Sequence, residues 1–185
     1  MPRNGEVVRR RLQEAALALF DERGYDQTTS AEIAAKAGVT ERTFFRHFPE
    51  KREVLFGGEA ALSAILTSAV QGAPPALGAW DTLFRAFQAA EPLLVENRPF
   101  SEPRRRIIAS SSPLQEREAA KAMSLTVGLA SALRERGVPD RLASLAAQVG
   151  MAAFSQAFAA WLDGEPGNLG EHLAKAFHEV RDLTS

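Results

Sequence analysis

Cysteine is missing from all 185 residues, which excludes disulfides, thiolate metal centres and a thiol redox switch. Histidine is scarce: His47, His172 and His178 are the three present, and none stands at metal-ligand spacing from another ligand. A metal-sensing role is therefore disfavoured, and neither a metal nor a cofactor is expected. No stretch approaches the roughly 18 apolar residues of a membrane span. The arginines Arg9–Arg11 lead into a mixed amphipathic segment rather than an apolar leader. The expectation is a cytoplasmic protein without a membrane partner. Neither sign of charge dominates, with 22 Lys and Arg against 23 Asp and Glu. Also missing are a nucleophile–base–acid set, a phosphate-binding glycine loop and metal-ligand spacing, so an enzyme is not expected.

Helical periodicity is present almost throughout, and no run alternates with period two. The fold class read from this pattern is all-α, with about nine helices in two domains. The first domain is placed at residues 1–55 and the second at 56–185. Residues 1–55 hold ten Lys and Arg against nine Asp and Glu, a net of +1, and the remainder carries −2. Basic character is therefore local: an arm of Arg3 and Arg9–Arg11, and the 40–52 segment. Locality suffices for phosphate attraction, which acts over a Debye length of about 10 Å.

The most informative stretch is Thr29–Lys51. Thr29 and Glu32 stand in capping-box spacing, and Ile33, Ala34 and Ala37 follow as an apolar stripe. Gly38 stops that helix, because a residue without Cβ enters the left-handed conformation cheaply. Val39 plugs the turn and Thr40 caps a second helix carrying Arg42, Thr43, Arg46 and His47 among Phe44, Phe45 and Phe48. Two short helices with a tight turn, at about 29–48, form the helix-turn-helix arrangement that lays a helix in the major groove of double-stranded DNA. Arginine suits bidentate contact to guanine, and threonine offers a hydroxyl to a base or phosphate and a methyl to thymine. Phe44 and Phe48 read as the core side of the helix.

Residues 8–55 resemble the N-terminal domain of the TetR family of transcriptional regulators. The likeness runs through Ala16, Leu19-Phe20, Gly24-Tyr25, Thr28-Thr29, Ile33-Ala34, Ala37-Gly38-Val39, Thr43, Phe48, Lys51 and Val54-Leu55. The resemblance implies a homodimeric regulator, usually a repressor, that leaves a palindromic operator when a small, mainly apolar effector binds its C-terminal domain. It implies DNA contacts at Thr29, Ser30, Thr40, Arg42, Thr43, Phe45, Arg46, His47 and Lys51, with His47 and Lys51 at positions that usually hold phosphate. Phe45 departs from the family pattern, where a tyrosine commonly donates to phosphate; phenylalanine keeps only stacking on deoxyribose or a thymine methyl.

The first helix is read at about Glu6–Arg23, and a long fourth helix runs from Lys51 to the Gly72–Pro75 break. Further helices are read near 77–97, 103–110, 112–136, 139–163 and 168–183. Trp80, Phe84, Phe87, Phe100, Phe154, Phe158 and Trp161 either line an apolar ligand cavity or fill an ordinary core. Arg104–Arg106 reads as an exposed charged turn, or else meets an anionic effector. The 139–163 segment is apolar nearly all round, which suits a core or an interface. A dimer through the last two helices would use Leu145, Val149, Leu169, Leu173 and Phe177. The alternative is a DNA-binding dimer without an effector, its C-terminal domain serving only dimerisation or a protein partner.

Overall fold

A computed structural model describes residues 3–183, with side chains from residue 5 onward. Nine α-helices and one short 3-10 helix make up the regular structure of the described residues, without a strand. They gather into two compact units, Met1–Gly58 with Pro99–Glu118, and Glu59–Arg98 with Ala119–Ser185.

In the first unit, α1 (Arg3–Arg23) turns Leu12, Ala15, Ala16, Leu19 and Phe20 inward. These pack with Ile33 and Ala34 of α2 (Ser30–Lys36) and with Phe44 of α3 (Glu41–His47). The turn between α2 and α3 closes as its residues foretell. Gly38 takes φ +71°, and the Val39 N–H reaches back to the Ala34 carbonyl at 3.0 Å, so the helix carbonyls are satisfied where it stops.

The expected long fourth helix is broken. Lys51–Leu55 forms a single 3-10 turn, and α4 proper begins only at Glu59 and ends at Gln71. Gly57-Gly58 is the physical reason, since glycine pairs resist continuing a helix and Phe56 is drawn into the core.

Part of the chain beyond residue 55 also returns to this unit. Ile107 and Ile108 of α6 (Arg98–Ala109) and Leu114 of α7 (Ser112–Glu135) are buried in its core. Arg104–Arg106 accordingly lies in a helix rather than a turn. Arg104 donates to the Leu55 carbonyl at 2.6 Å and pairs with Glu118. With Arg117, it brackets the Phe56 ring at 4.8 and 4.7 Å, and Arg117 reaches Glu53 at 2.8 Å.

The second unit is built around α5 (Ala79–Glu96), which packs on α4, on α8 (Asp140–Leu162) and on α9 (Leu169–Leu183). Pro92 sits within α5 without ending it; Gln88, whose carbonyl loses its usual donor, is exposed to water. Gly150 on α8 lets that helix approach Leu83 and Phe87 of α5 closely. A Cβ on Gly150 would lie 3.1 Å from Leu83 Cδ1. By length and composition alone α8 would pass as a membrane-crossing helix, so the reading that no segment approaches that limit is corrected. Its apolar residues are largely spent on the core, where ten of them are buried.

Candidate nucleic-acid interface

Seven residues give α3 a length of about 10 Å, enough to present one face and bury the other. Phe44 and Phe48 anchor it, fully enclosed, with their rings 5.6 Å apart. Thr40 caps it by accepting the Thr43 N–H at 3.2 Å, and the two threonine hydroxyls lie 3.0 Å apart. The opposite face carries Arg42, Phe45 and Arg46, all exposed. Neither arginine forms an ion pair among the described residues, so both guanidinium forks are available to an external acceptor. Thr43 is half-buried beside them.

Other expected contacts are engaged elsewhere. The Thr29 hydroxyl donates its single proton to the Glu32 carboxylate at 2.8 Å and accepts the Glu32 N–H at 3.2 Å. The Thr29 backbone N–H, which donates to the same carboxylate at 2.8 Å, and then the Thr29 hydroxyl hold the Glu32 carboxyl below its ordinary pKa, so a charged carboxylate stands where a phosphate would seek Thr29. Ser30 follows as the first residue of α2, half-buried. His47 is also half-buried, with Nε2 enclosed and unpartnered among the described residues. Burial first, then Arg46 and Arg9, lowers its pKa, so any phosphate contact it makes falls to a neutral imidazole.

Lys51 turns inward. Its ammonium donates to the carbonyls of Tyr25 and Thr28, each at 2.8 Å, and lies 4.0 Å from the centre of the Tyr25 ring. Burial lowers its pKa, consistent with that seat. Two of the three donors are therefore committed to the loop between α1 and α2. Lys51→Ala should lower the stability of this unit by about 2–3 kcal/mol, since two carbonyls lose a charged donor. Urea unfolding measures this; an unchanged midpoint with the salt slope of DNA binding reduced by about one would return Lys51 to the phosphates.

Sequence reasoning missed Arg9, which it grouped with Arg10 and Arg11 as one basic arm. Arg10 and Arg11 are exposed, whereas Arg9 packs against the end of α3. A signal existed: Arg9, Leu12 and Ala16 share one helical face, the buried one. Arg3, the remaining member of that arm, lies outside the residues with described side chains.

The family model described as "Bacterial regulatory proteins, tetR family" matches residues 12–56, the segment that builds this surface. This segment is a TetR-family domain. Among curated relatives of the family, the HTH-type transcriptional regulator TcmR of Streptomyces glaucescens is 36% identical over 82 residues, which are 44% of this chain and 36% of TcmR. The chain thus matches only about a third of that relative's length. Thermus thermophilus FadR, described as a TetR-family transcriptional repressor in complex with lauroyl-CoA, is 27% identical, covering 92% of this chain and 91% of FadR, with a TM-score of 0.56. SmeT, solved as a triclosan complex, shares the fold with a TM-score of 0.65 at 20% identity, covering 93% of this chain and 88% of SmeT.

The aromatic set divides. Phe100 packs on the core of the first unit and is removed from the candidate ligand site. The others stay together in the second unit, where Phe87 stacks on Phe154 at 4.7 Å and Phe154 on Phe158 at 5.6 Å. Trp80 and Phe84 lean on Phe177 at 4.4 and 5.3 Å. The dimer set divides as well. Leu169, Leu173 and Phe177 are at most 4% exposed and fill their own protomer's core, which corrects their assignment to a partner interface. Leu145 is 57% exposed, with Leu142 similarly open, and Val149 half-buried.

Proposed function

We propose that the protein is a sequence-specific regulator of transcription, acting as a homodimer on a palindromic DNA operator and usually repressing. The observation that carries this reading is the outward Arg42–Phe45–Arg46 face on a helix anchored by Phe44 and Phe48. In this reading the helix enters the major groove, the arginines read base edges, and Thr40 and Thr43 add hydroxyl contacts at its start. Ser30 and His47 contribute at the backbone, and Phe45 stacks on sugar or a thymine methyl. Residues 1–55 carry the DNA-reading function, and the chain from 56 carries pairing and effector response.

The effector we propose is small and mainly apolar, held among Trp80, Phe84, Phe87, Phe154 and Phe158. FadR, a relative at 27% identity over nearly the whole chain, is described with lauroyl-CoA bound, which supports a ligand with a long apolar body. To carry the operator-bound population from 99:1 to 1:99, the effector must prefer the released form by about 5.5 kcal/mol. A second reading, a dimer without effector, is favoured by the mutual stacking of these rings and the close α5–α8 approach at Gly150. Ligand-induced rises in melting temperature that also weaken operator binding distinguish the two.

The test of DNA readout is to map the protected operator and then assay Arg42→Ala and Arg46→Ala. Each should relax discrimination at particular base pairs by about 1–3 kcal/mol. Parallel loss on specific and unrelated duplexes would overturn base readout by these residues.

A further inference from the structure

Arg9 is held by three neighbours that converge at one end of α3. Its Nη1 donates to the His47 carbonyl at 3.2 Å, and its Nη2 to the Gly57 carbonyl at 3.2 Å. The guanidinium carbon lies 4.5 Å from the centre of the Phe48 ring. His47 is the last residue of α3, so its carbonyl belongs to the final turn, which lacks intrahelical donors and carries the negative end of the helix dipole. A planar cation spanning two carbonyls while lying on an aromatic face is a task for arginine rather than lysine.

Gly57 completes the seat. A Cβ built there would lie 2.5 Å from Arg9 Nη2 and 3.2 Å from Cζ and Nε. Gly57 is not among the glycines with positive φ, so the requirement is for space and not for an unusual backbone. Arg9 and Gly57 both flank the 12–56 segment that carries the family match, so that match does not account for the pair.

We infer that Arg9 is a positioning residue for DNA readout: seated in the space left by Gly57, it fixes the C-terminal end of α3 and so aims Arg42 and Arg46. The inference rests on the proposed DNA-reading role of α3. Base readout depends on holding side chains within about 0.5 Å of productive geometry, and at this end of a seven-residue helix Arg9 adds a polar tie on the last carbonyl to the apolar anchor of Phe48. A phosphate-binding arm residue would act differently, lending charge to any duplex regardless of sequence.

The experiment compares Arg9→Ala, Arg9→Lys and Gly57→Ala in the full chain. Hydrogen exchange of the α3 amides is measured without DNA, and binding to the mapped operator and to an unrelated duplex is titrated across salt concentrations. Arg9→Ala and Gly57→Ala are expected to speed exchange at Thr43–Phe48 by about tenfold. Both should weaken operator binding by about tenfold while leaving the unrelated duplex and the salt slope nearly unchanged. Arg9→Lys should fall between, keeping the charge but losing the fork. Gly57→Ala is decisive because it displaces the guanidinium without removing its charge, and with Arg9→Lys it carries the test if Arg9→Ala fails to fold. The inference is overturned if α3 exchange is unchanged in the displaced variants. It is also overturned if Arg9→Ala lowers both duplexes in parallel, cuts the salt slope by about one and leaves Gly57→Ala with full affinity. If the wild-type chain prefers no duplex, the regulator reading fails, and the exchange measurement still decides whether Arg9 holds α3.

Discussion

Phe44→Ala is expected to destabilise the first unit by about 3–5 kcal/mol and to abolish DNA binding, whereas the adjacent Phe45→Ala should leave stability within about 0.5 kcal/mol. The two residues are chemically identical neighbours on one short helix, and only burial separates them. Phe44 is fully enclosed beside Phe48, while Phe45 is 48% exposed and touches Phe44 only edge-on at 5.4 Å. Removing Phe44 leaves a ring-sized void beside Phe48 in the core of the first unit, which helical packing fills only in part. Because whole domains are stable by only about 5–15 kcal/mol, that loss takes a large share of the total. Phe45→Ala should instead act on the complex, weakening operator binding through lost stacking while the melting curve stays in place. Urea unfolding of both variants, followed by operator titration, checks the pair. Equal destabilisation by the two would mean that the inner and outer faces of α3 are misassigned.

That contrast shows which parts of the molecule a single sequence makes legible. The α2–turn–α3 segment could be read because its signals are local: Thr29 and Glu32 are three residues apart, and Gly38 acts where it stands. The amphipathic face of α1 was legible for the same reason. What a single stretch of sequence does not show is long range. Lys51 finds its carbonyl partners 26 and 23 residues away, and Arg104 meets Leu55 across 49. Nothing near those cations in the chain says whether they point toward phosphate or toward a loop. An apolar stripe runs from Lys51 to Val70 straight through Gly57-Gly58, so periodicity alone continues the fourth helix where the glycine pair breaks it. Phe100 illustrates the same limit, since an aromatic in a helical pattern carries no label for the core it joins.

Apolar stripes are equally silent about whether they meet their own protomer or a second copy, and the sharpest test of the dimer follows from separating the two cases. Leu145→Glu should convert the dimer to monomer with the protomer still folded, whereas Phe177→Glu should unfold the second unit before any question of pairing arises. Leu145 and Leu142 lie three residues apart on the exposed side of α8, opposite the residues that pack on α5 and α9. Phe177 is enclosed by Trp80, Phe84 and Phe87, so a carboxylate there would be buried without a partner. In a two-fold interface every residue counts twice, and burying a leucine contributes about 1.5–3 kcal/mol. A Leu145 substitution thus removes about 3–6 kcal/mol from the pair, or roughly two to four orders of magnitude in dissociation constant. Sedimentation velocity at micromolar concentration, with circular dichroism on the same samples, separates a folded monomer from an unfolded chain. Operator affinity should fall alongside, since a lone protomer holds only one half-site. A Leu145→Glu chain that remains a dimer with full operator affinity would remove this face of α8 from the interface.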